Sequence, residues 1–210
     1  MLVFDEAALI NLLNSLPMKK CTAFAASCCE RMVPNYRAFS VWEGWGDPAL
    51  LRTALDSVWS FLAGQTFPRS QVQKILQACE AITPDMDDFS SVFRSTALYA
   101  AIGVAYTVEY CLDPQSQLIA YVAGGAVEAL SQYLSVVADP ETQVHTTNPI
   151  FETWIDQSPL IQTELQYQKR DLEVLQTCKV VDLSLIDQLR QSSSMAGLQP
   201  FLRGMVKGAN

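Results

Sequence analysis

The segment from Phe89 to Leu112 reads FSSVFRSTALYAAIGVAYTVEYCL, and its pattern indicates the class of fold. Its apolar residues lie nearly all round a helix, and this pattern predicts a helix that is buried on every side. Ala97, Ala101 and Ala105 recur every four residues, which lets a neighbouring backbone approach closely. The uncharged part, residues 95–108, is 14 residues long and falls short of the roughly 18 to 20 that span a bilayer. We therefore predict a central helix of a bundle and no membrane span.

Helical spacing of apolar residues also dominates the chain on both sides of this segment. Proline, glycine and Asp-Pro pairs punctuate the pattern, and the breaks are short, as in helix bundles. We predict an all-α, single-domain bundle of about seven to nine helices that spans residues 1–210. Residues 192–210, which open with three serines, are expected to form a loosely docked or frayed C-terminal tail.

These helix-breaking and capping residues give the expected helix limits. The predicted helices run from about Asp5 to Leu16, Pro17 to Met32, Asp47 to Gly64, Ser70 to Ile82, Phe89 to Leu112, Pro114 to Ala138 and from Pro149 onward. Pro34 is expected to break the second helix before a short third segment, and Pro159 to bend or divide the last long region. Gly124-Gly125 indicates a tight crossing or a kink. Residues 180–185 fit either a strand or a helix, and we favour the helix.

The charge composition bears on partners. The net charge of -8 repels phosphate backbones, so we expect no nucleic-acid binding. Only 17% of the residues are charged, below the roughly 25% of an ordinary soluble domain. Two explanations stay open: an apolar surface that is buried in self-association, as a homodimer, or against another protein, and a surface rich in Gln, Ser and Thr.

The N-terminus and the cysteines bear on the compartment. The chain opens with Met1-Leu2-Val3-Phe4-Asp5-Glu6, whose acids have the wrong polarity for a secretory signal, so we expect a cytoplasmic address. None of the six cysteines forms a C-x-x-C pair, and reduced thiols packed in the core are expected. Adjacent Cys28 and Cys29 point about 100° apart on a helix, which predicts one core thiol and one that is partly exposed.

The common catalytic motifs are missing from the sequence. The glycines form neither a P-loop nor a dinucleotide fingerprint, and no Gly-x-Ser-x-Gly turn presents a nucleophile. His145 is the only histidine, so two-histidine zinc sites and di-iron bundles are excluded. Glu141 lies four residues before it but lacks a third ligand. We predict no metal site and no cofactor.

Polar residues crowd the expected helix break between residues 29 and 47. Glu30, Arg31, Asn35 and Tyr36 would line a pocket beside Trp45, with Arg31 as an anion anchor. Asp47, just before Pro48, is also a candidate ligand or partner contact, as well as the N-cap of the next helix. The structural alternative, which stays open, is that these side chains cap helix ends and pack inward.

A second polar cluster precedes the central helix. Asp85, Asp87 and Asp88 are three acids in four residues, and Asp87 and Asp88 join the candidate site. They would bind a cation or a basic partner, or they would cap the helix N-terminus and complement its dipole. An EF-hand is excluded because the further oxygens and the glutamate of such a loop are missing.

The two clusters also carry a family resemblance. The relevant residues are Cys29-Glu30-Arg31-Met32, Pro34-Asn35-Tyr36, Phe39, Gly44, Gly46-Asp47, Trp59 and Asp87-Asp88-Phe89. In these positions the chain resembles the YjaG-like family of bacterial proteins, a domain of unknown function. The resemblance implies an all-helical, cytoplasmic bacterial protein, and it supplies no substrate, cofactor or catalytic residue.

Two functional hypotheses follow. The first is a non-enzymatic binding or interaction protein whose bundle self-associates or docks another protein through an apolar face. The second is a small-molecule site or enzyme between the Glu30–Asp47 junction and the Asp85–Asp88 loop, where carboxylates and Arg31 would act as acid, base and anion clamp. The second requires the two segments to converge on one concavity.

Overall fold

The computed structural model describes residues 1–138 and 149–196. This part of the chain forms nine α-helices and one short 3-10 turn, and it contains no strand. The elements are α1 (Glu6–Asn14), α2 (Met18–Glu43), α3 (Pro48–Leu62), α4 (Arg69–Ala81), the 3-10 turn (Met86–Asp88), α5 (Arg94–Tyr110), α6 (Ser116–Ala138), α7 (Pro149–Asp156), α8 (Pro159–Thr177) and α9 (Leu183–Ala196). The all-α, single-domain prediction is confirmed.

Two helices, α2 and α5, form the centre of the bundle. Helix α5 packs against α2, α3, α4 and α6, which confirms its predicted central position. Helix α2 contacts α3, α5, α6, α8 and α9, and every residue from Cys21 to Met32 is buried. The close approach of α2 and α5 is made at Gly103, where an added Cβ would lie 2.8 Å from Cε of Met32. The small residues of α5 therefore allow the second central helix to pack tightly.

Helix α2 also corrects the sequence prediction, because it continues through Pro34 without a break. A proline inside a helix removes one backbone hydrogen bond and costs about 3 kcal/mol. Here both flanks are anchored, since Met32 on one side and Tyr36 and Phe39 on the other are buried in the same core. Tertiary burial outweighs the local cost, and Asn35 lies inside a continuous helix instead of capping a new one.

The other helices surround this pair. Helix α1 packs on α6. The side-chain amide of Gln162 in α8 hydrogen-bonds to both backbone groups of Leu2, at 2.9 and 2.8 Å, and so fixes the N-terminal segment. Gly124 and Gly125 of α6 face the rings of Phe4 and Tyr99, with added Cβ atoms at 3.2 and 3.1 Å. This confirms the tight crossing that the glycine pair indicated.

Several predicted limits change. The central helix begins at Arg94 instead of Phe89, because the preceding residues are extended or turn and Arg94 Nη1 donates to the Phe89 carbonyl at 2.8 Å. Pro159 divides the last long region, with Ser158 as the N-cap of α8. Helix α9 reaches Ala196, so residues 192–196 of the predicted tail are helical. The predicted loop at 139–147, with Glu141 and His145, and residues 197–210 of the predicted tail lie outside the described residues.

No helix within the described ranges is both long enough and apolar enough to cross a membrane.

Candidate functional site

Glu30 and Arg31 lie side by side on α2 at the centre of a charged cluster that is largely buried. Both residues are buried, at 4% and 3% exposure. Because successive side chains on a helix point about 100° apart, they serve different neighbours. Arg31 faces α8 and α9, and Glu30 faces α3 and α9. We call this set of ion pairs the α2 charge network.

The inner half of the network surrounds the guanidinium of Arg31. Nε and Nη2 donate to the two carboxylate oxygens of Glu164 at 2.8 and 2.9 Å, a bidentate pair. Nη1 donates to Oδ2 of Asp171 at 2.8 Å and to Oγ of Ser193 at 3.2 Å. The ring of Tyr167 lies 5.5 Å from the guanidinium carbon. Planar donors that match carboxylates in this way are the strong form of charge-assisted hydrogen bond.

Helix α8 supplies the acids of this inner half from one stripe. Glu164, Gln168 and Asp171 are spaced four and three residues apart, so they share a face of the helix. Gln168 Nε2 donates to Glu164 Oε1 and to the Ala123 carbonyl, both at 3.0 Å. Sequence reasoning missed these residues. The sign that would have found them is a polar stripe that lies among the apolar positions of an otherwise amphipathic helix.

The outer half of the network surrounds Glu30. Arg52 of α3 donates from Nη1 and Nη2 to the two carboxylate oxygens at 2.7 and 2.9 Å, and Trp59 Nε1 donates to Oε1 at 2.7 Å. Arg190 of α9 lies 3.4 Å from the same oxygen. Asp56 accepts from Arg52 at 2.9 Å and also pairs with Arg190. The arginines and Asp56 are half exposed, so this half meets solvent.

The charges of the network balance. Four arginines (Arg31, Arg52, Arg170, Arg190) face four carboxylates (Glu30, Asp56, Glu164, Asp171). Burial works against the charge of Arg31, but Glu164, Cys28 and Asp171 outweigh it and raise the pKa of Arg31. Burial raises the pKa of Asp171, and Arg31 and Arg170 oppose that shift. Arg31 therefore stays charged, and its guanidinium nitrogens donate to partners inside the protein, so it cannot also anchor an external anion.

The second half of the predicted site lies at the other end of α2. The ring of Phe39 lies 4.9 Å from that of Phe89 and 6.1 Å from that of Trp45, and Trp45 and Phe89 are 5.1 Å apart. Glu43 accepts from the backbone N–H of Ser91 at 3.1 Å. The two sequence segments thus do meet, through three aromatic rings and one hydrogen bond.

Tyr36 closes this aromatic junction. Its hydroxyl donates to the Ile82 carbonyl at 2.6 Å, and burial raises its pKa. Gly46 lies against the same hydroxyl in a left-handed conformation, with φ of 85°, and a Cβ there would clash with the hydroxyl oxygen. Only glycine fits, for both reasons. Tyr36 thus ties α2 to the end of α4.

The predicted acids have local partners. Asp47 caps α3 by accepting from the Leu50 N–H at 2.9 Å, as its sequence position predicted. Asp87 and Asp88 are exposed in the 3-10 turn, and Asp85 accepts from the Asp87 N–H at 3.0 Å. Asp85 thus caps this turn, and the three acids do not cap the central helix, because that helix begins at Arg94, six residues after Asp88.

The charged members of the predicted site do not come together. Glu30 and Glu43 are separated by 13 residues of one helix, which corresponds to about 20 Å. Glu30 and Arg31 belong to the α2 charge network, whereas Trp45, Asp47, Asp87 and Asp88 belong to the far end of α2. A shared acid, base and anion clamp between the two segments is therefore not formed.

The cysteines are free thiols, and four of them are buried. Cys28 and Cys29 are both fully buried, so the predicted partly exposed partner is wrong; the α5 and α8 sides of α2 are both covered. Burial raises the pKa of Cys29 to about 12 and that of Cys79 to about 11. These thiols are poor nucleophiles at neutral pH. In the described part of the chain, no group of three or more His, Cys, Asp or Glu side chains is arranged to hold a metal ion.

Comparisons with known proteins give a consistent picture. The chain is 27% identical to the "Uncharacterized protein YjaG" of Escherichia coli K12 over 174 residues, which is 83% of this chain and 85% of that protein. It is 25% identical to an "Uncharacterized protein" of Haemophilus influenzae over 180 residues, 83% of this chain and 86% of the relative.

A solved structure shares the fold. The crystal structure of a DUF416 family protein from Shewanella baltica OS155 superposes with a TM-score of 0.75 and 23% sequence identity, and the match covers 90% of this chain and 94% of that one. The family profile described as "Protein of unknown function (DUF416)" matches residues 9–199. The chain belongs to this family, DUF416, to which the resemblance noted in the sequence pointed.

Proposed function

We propose that this protein is a non-enzymatic, cytoplasmic interaction protein that forms a homodimer through an apolar face near the C-terminal end of α2. The observation that carries the proposal is the exposure of two adjacent apolar residues there. Val41 is 79% exposed and Trp42 is 67% exposed. A large apolar side chain that is mostly in water is unusual for a helix of the bundle centre, and such sites are typical of interfaces.

The face extends beyond these two residues. The ring of Trp42 lies 6.4 Å from that of Phe93, which stacks on Tyr133 at 6.2 Å. Val136 and Val137 follow Tyr133 by three and four residues on α6, which places them on the same side of the helix, and they are 40% and 38% exposed. We define the Trp42 face as Val41, Trp42, Tyr133, Val136 and Val137.

Several features support self-association through this face. The five residues carry no formal charge, so burying them desolvates no ion. A two-fold interface places the same patch of both copies in contact, so Trp42 would pack near its own symmetry mate. Tryptophan is also enriched among the residues that carry most of the binding energy of interfaces. The cytoplasmic location is supported by the six free thiols, which persist in a reducing compartment.

The test is the oligomeric state of two matched variants. Sedimentation equilibrium of the wild type from about 1 to 100 μM should give a dimer whose fraction rises with concentration. Val41→Glu should weaken the dimer by about tenfold or more, because a buried unpaired carboxylate is costly. Val180→Glu is the control, since Val180 is also apolar and 68% exposed but lies between α8 and α9.

Two results contradict the proposal. A wild-type protein that stays monomeric over the whole concentration range would exclude a homodimer of useful affinity, and would leave a different protein as the partner to seek. Equal weakening by Val41→Glu and Val180→Glu would show that the dimer does not use the Trp42 face. Thermal melting of both variants is needed alongside, so that a loss of folding is not mistaken for a loss of association.

A further inference from the structure

Helices α3 and α4 enclose two adjoining apolar cavities that have no role in the proposed dimer. The inner cavity, of about 180 Å³, lies between α3, α4 and α5, and the outer one, of about 320 Å³, lies between α3 and α4. Ile75 of α4 lines both, so the two cavities adjoin at this side chain, and we call them together the α3–α4 groove. The two cavities share no residue with the Trp42 face.

The inner cavity is lined by apolar side chains. Its lining includes no charged residue, and its large apolar side chains include Phe61, Phe67, Val72 and Val108. Two hydroxyls also line it: that of Ser57, whose Oγ donates to the Ala54 carbonyl at 2.6 Å, and that of Thr66. An apolar cavity of about 150 Å³ inside a protein accepts a benzene molecule, so this one has room for about six to eight carbon atoms. A ligand that enters it must be uncharged in that part.

The outer cavity differs in one respect. Lys74 lines it and is the single charged residue in the two described linings. Within residues 1–138 and 149–196 Lys74 forms no ion pair, although the chain carries a net charge of -8. A long lysine stem can lie along an apolar wall while the ammonium meets a polar group at the mouth. The groove thus pairs an apolar interior with one unpaired positive charge.

We infer that the α3–α4 groove binds a medium-chain carboxylate, with the alkyl chain in the inner cavity and the carboxylate at Lys74. The volume sets the length, because a chain of about eight to twelve carbons fills the inner cavity and reaches the outer one past Ile75. The charge sets the headgroup. Lys74 is the single charged side chain in the two linings, so the headgroup that pairs with it is negatively charged.

The affinity should depend on chain length in a defined way. Each methylene that leaves water for the groove should tighten binding about fourfold. The gain should hold from hexanoate to decanoate and stop once the groove is full. Adsorption to exposed apolar surface would give no limiting chain length. The series of chain lengths therefore distinguishes binding in the groove from nonspecific adsorption.

The experiment is titration calorimetry of the full chain with sodium hexanoate, octanoate, decanoate and dodecanoate. Decanoate should saturate one site per chain, and decyltrimethylammonium, with the same tail and the opposite charge, should bind at least about fivefold more weakly, because it loses the ion pair with Lys74. Lys74→Gln should weaken decanoate about fivefold, the loss of one partly exposed ion pair. Lys179→Gln is the control, because Lys179 is equally a surface lysine but lies outside both cavities.

A second variant tests the tail. Ile75→Trp narrows the passage between the cavities and should flatten the dependence on chain length, while circular dichroism confirms that the bundle is folded. The inference is overturned if decanoate shows no saturable binding, if Lys74→Gln binds as the wild type does, or if Ile75→Trp keeps the full length dependence. None of these results bears on the dimer, whose test uses other residues and another measurement.

Discussion

Replacing Arg31 by methionine is the most informative single perturbation of this protein. Arg31 satisfies two buried carboxylates at once, Glu164 with two hydrogen bonds and Asp171 with one. The side chains of these acids are only 8% and 1% exposed, so water cannot replace the arginine. Methionine fills much of the same volume but provides no donor. The substitution therefore isolates the cost of two unpaired buried acids.

The expected magnitude follows from that geometry. Removing one partner of a buried ion pair costs about 3 to 5 kcal/mol, because the remaining charge is uncompensated. For a domain of this size, 1 kcal/mol lowers Tm by roughly 2 to 4 °C, so Arg31→Met should lower Tm by about 6 to 20 °C. Arg170→Met is the control. Arg170 is 48% exposed and touches Asp171 at 3.4 Å, so its loss should cost less than about 1 kcal/mol.

The dependence on pH has a definite sign. Burial raises the pKa of Asp171, and Arg31 is the first of the groups that oppose the shift. Without Arg31 the folded-state pKa of this carboxyl rises further above its unfolded value, near 3.9. A carboxyl with a raised folded pKa binds more protons when folded, so folding is favoured as pH falls. The stability difference between Arg31→Met and the wild type should be largest at pH 7 to 8 and smaller near pH 5.

The assay is urea unfolding followed by circular dichroism at pH 7.5 and pH 5.5. A triple variant, Arg31→Met with Glu164→Met and Asp171→Leu, should recover much of the loss, because replacing a whole buried network by apolar residues is often neutral. The reasoning is refuted if Arg31→Met lies within about 1 kcal/mol of the wild type, or if Arg170→Met costs as much as Arg31→Met.

Three further predictions concern the core of α2. Tyr36→Phe should cost about 1 to 3 kcal/mol in urea unfolding, because the buried Ile82 carbonyl loses its donor; an unchanged midpoint would show that water replaces the hydroxyl. Gly46→Ala should lower the free energy of unfolding by at least about 1 kcal/mol, because Gly46 has a positive φ and lies against the Tyr36 hydroxyl. This cost should be smaller in the Tyr36→Phe background, which lacks the hydroxyl. Equal costs in both backgrounds would contradict the contact. In the folded protein at pH 8, Cys28 and Cys29 should resist a thiol reagent such as Ellman's reagent, and in urea both should react promptly. Burial raises the pKa of both thiols, that of Cys29 to about 12. Fast reaction of either cysteine in the folded protein would contradict its burial.

The predicted fold came largely from local patterns, and the errors have a common cause. The cap at Asp47, the division at Pro159 and the central helix through Ala97 and Ala101 were all legible from residue spacing. The break at Pro34 was not formed. A local rule gives the cost of a proline, but not the burial energy on its two sides, which here exceeds it.

The candidate site shows the same limit more sharply. Glu30 and Arg31 stood out in the sequence, yet their partners Glu164, Asp171 and Arg190 lie more than 130 residues away. No spacing within α2 indicates them. The Trp42 face was likewise invisible, because an apolar pair at the end of a helix has the same pattern whether it is buried or exposed.

The helices, the single domain and the lack of the common catalytic motifs could be predicted from local sequence, because helix periodicity, capping and motif spacing act over a few residues. Which charges pair with each other, which apolar residues stay exposed to water and where a groove remains open could not be predicted in this way. Those outcomes depend on how α2, α3, α8 and α9 are placed relative to one another. Packing between distant segments settles that placement, and no local pattern encodes it.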